Sequence, residues 1–278
     1  MNEAALKERL HTIAKQKDIT FNECWKQFLL ERFLVRLAGA KFTKNFIFKG
    51  GLLLSYIIDI GRETVDLDFV LKNLSVEANE LKATFETIAA NKNDDGFTFV
   101  VEEIEKLAHL HMNYPGYRIT VAAQFGTLKD KIHIDLGVGD VVEPELLTLN
   151  LLQYRDKPIF EEDIKLMVYP VETIFAEKLE TAVSRGSINS RMKDYHDLFV
   201  LTQYPQLIDP EKLKSAISVT FKHRETELII PIIFDESGIA QLQSLWVRHL
   251  RGLGDVVDTL SLPEKISDVI QSINKFLI

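Results

Sequence analysis

The 278-residue chain is predicted to fold as an α+β protein, a mixed sheet with flanking helices followed by a mainly helical C-terminal region. Three patterns predict this. Apolar residues recur at three- and four-residue steps before residue 41, at steps of two in short runs between residues 45 and 137, and at helical steps again after residue 170.

The first pattern, Leu6, Leu10 and Ile13 and then Trp25, Phe28, Leu29, Phe33 and Leu37, predicts two amphipathic helices separated by Asp18 to Asn22. Asn45 to Phe48 reads as a short strand, Lys49-Gly50-Gly51 as a tight turn, and Leu52 to Ile60 as a helix entered directly from that turn and ended by Gly61-Arg62. Val65 to Leu71 alternates apolar and acidic residues and predicts a strand, followed by a helix over Glu77 to Ala90. Phe97 to Glu102, Tyr117 to Ala123 and Lys131 to Gly137 read as further strands, with Asn91 to Gly96 and Gly126 to Asp130 as turns. Tyr169-Pro170-Val171 leads into a helix carrying Ile174, Phe175, Lys178 and Leu179, and a second helix runs from Lys193 to Gln203. Trp246, Leu250, Ile266, Val269, Ile270 and Ile273 are packing residues of the helices that follow. The character changes near residue 145, dividing residues 1–145, the N-terminal helices and sheet, from residues 146–278.

A hydrophobic content of 46% supports an ordinary globular core. Apolar runs such as Leu228 to Phe234 fall well short of the roughly 20 residues that span a bilayer, and Met1 to Leu10 reads as a charged amphipathic helix, not a secretion signal. A cytoplasmic protein without membrane partners is expected. Cys24, the one cysteine, has no partner for an internal disulfide and sits among apolar helical positions. His109-x-His111 lacks companions for a tetrahedral site, which argues against zinc. With 33 basic against 41 acidic residues the net charge is −8, which excludes a protein that coats nucleic acid by charge alone. A local basic stretch remains: no acidic residue falls between Thr181 and Lys193, where Arg185, Arg191 and Lys193 stand among small polar residues suited to meeting phosphates.

The chemistry-bearing residues fall into four blocks. In Val65 to Val70 the period of two turns Asp66 and Asp68 to one face, their Cα atoms roughly 7 Å apart. Paired carboxylates at that distance suit Mg²⁺ carried on phosphates, although the same spacing also fits a solvated strand face. Upstream, Lys49-Gly50-Gly51 closes a strand and opens a helix, leaving free N–H groups where phosphates could rest, with Ser55 on the first turns of that helix. In Ile132 to Leu136 the alternation faces His133 and Asp135 one way, so Asp135 is a candidate third metal ligand and activator of an attacking hydroxyl, or simply an exposed aspartate. The last block holds Glu177-Lys178-Leu179 and Arg191 to Leu198. Lys178, half-buried by its apolar neighbours, is a candidate to neutralise phosphate charge, and Asp194 and Asp197, one helical turn apart, either orient Lys178 or Arg191 or form a plain salt-bridge network.

Phe48 to Leu54, Arg62 to Asp68, Asp135, Glu177 to Leu179 and Arg191 to Leu198, in this order and spacing, resemble the AbiEii/AbiGii toxin family over Phe33 to Leu201. The resemblance implies a DNA-polymerase-beta-like nucleotidyltransferase core and a toxin of a bacterial toxin–antitoxin or abortive-infection system, with a cognate antitoxin encoded nearby. It implies that Gly50 and Gly51 hold the phosphates of an NTP, that Asp66 and Asp68 bind Mg²⁺, that Thr64 contacts phosphate, and that Lys178 and Asp194 belong to later catalytic motifs contributed to the cleft by the C-terminal region. Beside these, Lys49 is expected with the glycines at the phosphates, Asp135 as a third metal ligand, and Arg62 with Lys178 to steady phosphate charge. Leu52 departs from the pattern, since many relatives place a threonine there. Some members transfer nucleotides to the 3′ end of tRNA, so an RNA acceptor is expected, with a protein or small-molecule hydroxyl, or nucleotide binding without catalysis, as alternatives.

Overall fold

The structure, a computed structural model, describes residues 1–91, 93–107, 116–161 and 163–278; His109 and His111 lie outside the described residues. In chain order the elements are α1 (Glu3–Gln16), α2 (Phe21–Ala38), β1 (Phe46–Lys49), α3 (Gly50–Ile57), β2 (Asp66–Leu71), α4 (Ala78–Ala89), β3 (Thr98–Leu107), β4 (Gly116–Phe125), β5 (Leu128–Val138), β6 (Glu145–Asn150), β7 (Gln153–Tyr154), β8 (Lys157–Pro158) and β9 (Asp163–Val168). Helices α5 (Val171–Arg185), α6 (Met192–Thr202), α7 (Pro210–His223), α8 (Glu236–Leu253), α9 (Val256–Thr259) and α10 (Ile266–Leu277) follow. Two compact units result: unit 1 is Met1–Ile57, Glu63–Asp140 and Pro144–Tyr169, and unit 2 is Ile58–Arg62, Val141–Glu143 and Pro170–Ile278.

Among the described residues of unit 1, a seven-stranded sheet runs β3-β4-β5-β2-β1-β9-β6. It is mixed: β2 pairs β5 in parallel and β1 in antiparallel fashion, and β1 pairs β9 in parallel. The change of structure type expected near residue 145 comes later, at Tyr169-Pro170, because β6 and β9 pair with each other and extend the same sheet. Their alternating Leu147, Leu149, Ile164, Leu166 and Val168 are the signal for two further strands. Helix α3 stops at Ile57, short of the expected Ile60, where the chain passes into unit 2.

The sheet has one aromatic face. Phe46, Phe48 and Phe69 project from β1 and β2 and pack on one another, Phe46 meets Phe85 of α4, and Phe85 meets Phe33 of α2, with ring centroids of contacting pairs 5.3 to 6.4 Å apart. Helix α2 is fixed at its start by a capping box in which Thr20 accepts from the Glu23 backbone and Glu23 accepts from the Thr20 backbone. Alternation then leaves Asp66, Asp68 and Asp135 on the opposite face.

Helix α2 also carries a buried polar knot. Arg32 and Arg36 both donate to the carboxylate of Asp95, at 2.5 and 2.8 Å for their Nη2 atoms, and Arg32 also pairs with Glu161. The side chains of Asp95 and both arginines are at most 2% exposed, so losing the shared carboxylate charge leaves two buried guanidinium groups poorly compensated. Asp95→Asn is expected to lower unfolding stability by about 3 kcal/mol, measured as a shift in urea midpoint at constant slope. A midpoint within a few tenths of a molar of the parent would show the knot to be dispensable.

Candidate functional site

In unit 1 the register assembles a row of charges across four strands. Lys49 of β1 lies opposite Asp68 of β2, Asp68 opposite Asp135 of β5, and Asp135 opposite Arg118 of β4. Leu67, Ile134 and Ile119 are buried on the other face, while Asp66, Asp68, Asp135 and Arg118 are half-buried on this one. Arg118 grips Asp135 in a two-point fork, Nε to Oδ1 and Nη2 to Oδ2 both at 2.7 Å. Its pKa is raised above the ordinary guanidinium value, first by the hydrogen bond to Asp135 and further by the charges of Asp135, Asp66 and Asp68. Sequence reasoning missed Arg118. The signal was present: Tyr117, Ile119 and Val121 alternate with it and turn it to the polar face.

Gly50 and Gly51 open α3 directly from β1, as expected. Gly50 has φ +80°, and a Cβ there would run into the carboxylate of Asp68. The glycine turn, with the free N–H groups of a helix start, therefore lies against the second aspartate of the pair. Lys49 donates to Asp140 at 2.9 Å, its ammonium lies over the Tyr169 ring at 4.8 Å from the centroid, and the Tyr169 hydroxyl donates to the same Asp140 oxygen. Thr64 stands half-buried just before β2, and the Ser55 hydroxyl is turned back onto the Leu52 carbonyl, away from a phosphate role.

Two carboxylates on one strand face beside a glycine turn form a hard-oxygen donor set that suits Mg²⁺ sharing its remaining positions with phosphate oxygens. Among the described residues no three His, Cys, Asp or Glu side chains form a ready-made metal cage, and the third expected ligand, Asp135, has both oxygens engaged by Arg118.

In unit 2 the expected basic and acidic residues of α5 and α6 come together. Lys178 reaches Asp197 at 2.6 Å and Asp194 at 3.2 Å, Arg62 forks onto Asp197 at 2.6 and 2.7 Å, and Arg191 donates to Asp194 at 2.8 Å. Burial alone would push the Lys178 ammonium down, but the charges of Asp197 and Asp194 outweigh it and raise its pKa. Burial would raise the Asp197 carboxyl, yet Lys178 and Arg62 hold it below the usual carboxylate range. Both Lys178 and Arg62 are thus ion-paired to aspartates within the unit, with Asp197 as the shared centre.

A family model described as "Nucleotidyl transferase AbiEii toxin, Type IV TA system" matches residues 32–271. Among solved structures the chain is similar to MenT4, a nucleotidyltransferase toxin from Mycobacterium tuberculosis H37Rv, at 16% identity and a TM-score of 0.56, covering 100% of this chain and 88% of that one. It is also similar to JHP933 from Helicobacter pylori, at 16% identity and a TM-score of 0.47, covering 89% of this chain and 91% of that one. A search of curated proteins returned no match. The likeness to MenT4 gives the fold as that of a nucleotidyltransferase, with a DNA-polymerase-beta-like core.

Beside Asp197 sits a histidine pair. His196 Nε2 lies 2.7 Å from the Ile60 carbonyl and so donates to it, and its Nδ1 lies 3.0 Å from His249 Nε2, so the two rings share one hydrogen bond. Burial lowers both pKa values, that of His249 to about 4, with His196, Arg62 and Lys193 adding to the downward shift and Asp197 opposing it. A histidine depressed in the folded state stabilises the fold above its unfolded pKa of about 6.5 and loses that contribution as pH falls. The melting temperature should therefore drop by several degrees between pH 6.5 and 4, and His249→Gln, which keeps a donor for His196, should flatten that drop. Calorimetric scans with equal slopes for parent and variant would refute the assignment.

Proposed function

The chain belongs to the AbiEii nucleotidyl transferase toxin family and is a nucleotidyltransferase, and from that premise we propose that it transfers a nucleoside monophosphate from an NTP to an RNA hydroxyl, the 3′ end of a tRNA, releasing pyrophosphate and arresting growth. The observation that carries this reading is the Asp66–Asp68 pair on the polar face of the sheet with the Gly50–Gly51 turn packed against Asp68. The acid-free stretch from Thr181 to Lys193, with Arg185, Arg191 and Lys193 exposed, supports an RNA acceptor.

Asp66 and Asp68 would hold Mg²⁺ with the triphosphate, and the N–H groups of Gly50 and Gly51, with Thr64 and Lys49, would receive the phosphate oxygens. The chemistry that the bound metal supplies is neutralisation of phosphate charge and alignment of the attacking and leaving oxygens. Asp135, once released from the Arg118 fork, would be the carboxylate placed to accept the proton of the attacking hydroxyl or to help hold a second ion. In unit 2, Lys178 and Arg62 supply cationic charge for phosphate, with Asp194 and Asp197 holding them in place. The family's toxin–antitoxin membership supports a cognate antitoxin encoded nearby as partner.

Asp66→Asn, and separately Asp68→Asn, should reduce transfer by at least about a hundredfold while circular dichroism and melting temperature stay near the parent's. Incubation with each labelled NTP and either total tRNA or a protein lysate reads the acceptor directly. Label on tRNA supports the proposal, label on protein or on neither overturns the RNA acceptor, and transfer at the parental rate by both variants overturns the metal pair.

A further inference from the structure

Arg118 has a carboxylate on each side. In the sheet register it faces Asp135 of β5 on one flank and Glu105 of β3 on the other, so the row across five strands reads Glu105, Arg118, Asp135, Asp68, Lys49. Cross-strand neighbours have Cβ atoms about 5 Å apart, within reach of a long side chain without moving the backbone. The guanidinium is forked on Asp135, yet the Arg118 side chain is 41% exposed and that of Asp135 27%, so neither is locked by packing. Glu105 is exposed on the neighbouring strand.

We propose that Arg118 is a positioning residue that controls how the carboxylate face takes up divalent cations, swinging from Asp135 to Glu105 when a cation claims an oxygen of Asp135. The inference rests on the reading of Asp66, Asp68 and Asp135 as the metal-binding face. The reasoning is electrostatic. A divalent cation beside Asp68 and the guanidinium compete for the same Asp135 oxygens, and like charges this close repel. Glu105 makes the exchange feasible, because the displaced guanidinium acquires a new counter-charge in place of an unpaired one. While forked, Arg118 keeps the Asp135 carboxylate in a fixed plane beside Asp68, so its removal frees that oxygen but also loosens the group that must meet the attacking hydroxyl.

The test is Mn²⁺ binding to the full chain by isothermal titration calorimetry, together with the Mg²⁺ dependence of nucleotide transfer. Arg118→Met should tighten Mn²⁺ by about tenfold, as expected from deleting one nearby cation, and should lower both kcat and the Mg²⁺ concentration for half-maximal rate. Glu105→Gln should act oppositely and weaken Mn²⁺, and its effect should vanish when added to Arg118→Met. Arg118→Lys, a smaller change, should fall between parent and Arg118→Met in both readouts. Unchanged or weaker Mn²⁺ binding by both Arg118 variants, or a Glu105→Gln effect that persists without Arg118, overturns the proposal. Asp66→Asn separates the two levels: loss of Mn²⁺ binding there upholds the metal face whatever the Arg118 variants do, whereas unaltered binding sinks the metal face itself.

Discussion

The pairing register between β2 and β5 is the constraint on which the polar face depends. With Asp68 opposite Asp135 and Leu67 opposite Ile134, acidic residues stand together on one side and apolar ones on the other. A slip of one residue would turn Asp135 into the aromatic layer and Ile134 onto the acidic face, a double loss of burial and solvation. The apolar side enforces this: Phe69 of β2 packs on Phe46, which packs on Phe85, and Ile134 and Leu136 of β5 are buried on the same face, so the aspartates of both strands are turned the other way. The repulsion this creates is offset at both ends of the row, by Lys49 next to Asp68 and by Arg118 on Asp135.

Unit 2 handles charge differently. Asp197 is fully buried, and a buried carboxylate is tolerable only with close counter-charges. Lys178 and Arg62 supply them, one from α5 and the other from the short segment Ile58–Arg62 that the chain lends to this unit. The neighbouring His196, donating to the carbonyl of Ile60, ties the same segment to α6. Asp194 and Asp197 thus anchor a network that holds Lys178 and Arg62 in place.

Much of this was legible in the residues. The alternation around Asp66, Asp68 and Asp135 predicted both the strands and the shared face, and Gly50-Gly51 predicted a helix entered from a turn, since periodicity and glycine conformation are local properties. The strands β6 and β9 escaped because their leucines were read with the helical C-terminal region, and only their mutual pairing shows them to be sheet. Arg118 escaped for a related reason: one arginine in a strand carries no sign of its partner until register brings Asp135 opposite. Lys49 was read as a phosphate ligand from its place before the glycines, while its contacts with Asp140 and Tyr169 join positions far apart in the chain. Local pattern names the candidates, and pairing across the sheet decides whom each one touches.

The fit of Gly50 against Asp68 has a consequence for mutational genetics. Because a methyl group at residue 50 would occupy the space of the aspartate's oxygens, in a backbone conformation that disfavours any side chain, no substitution there alters the glycine turn alone. Inactivating alleles at this codon and at codon 68 should be indistinguishable in phenotype, so a saturation screen would score them as one functional locus although they lie on different secondary-structure elements.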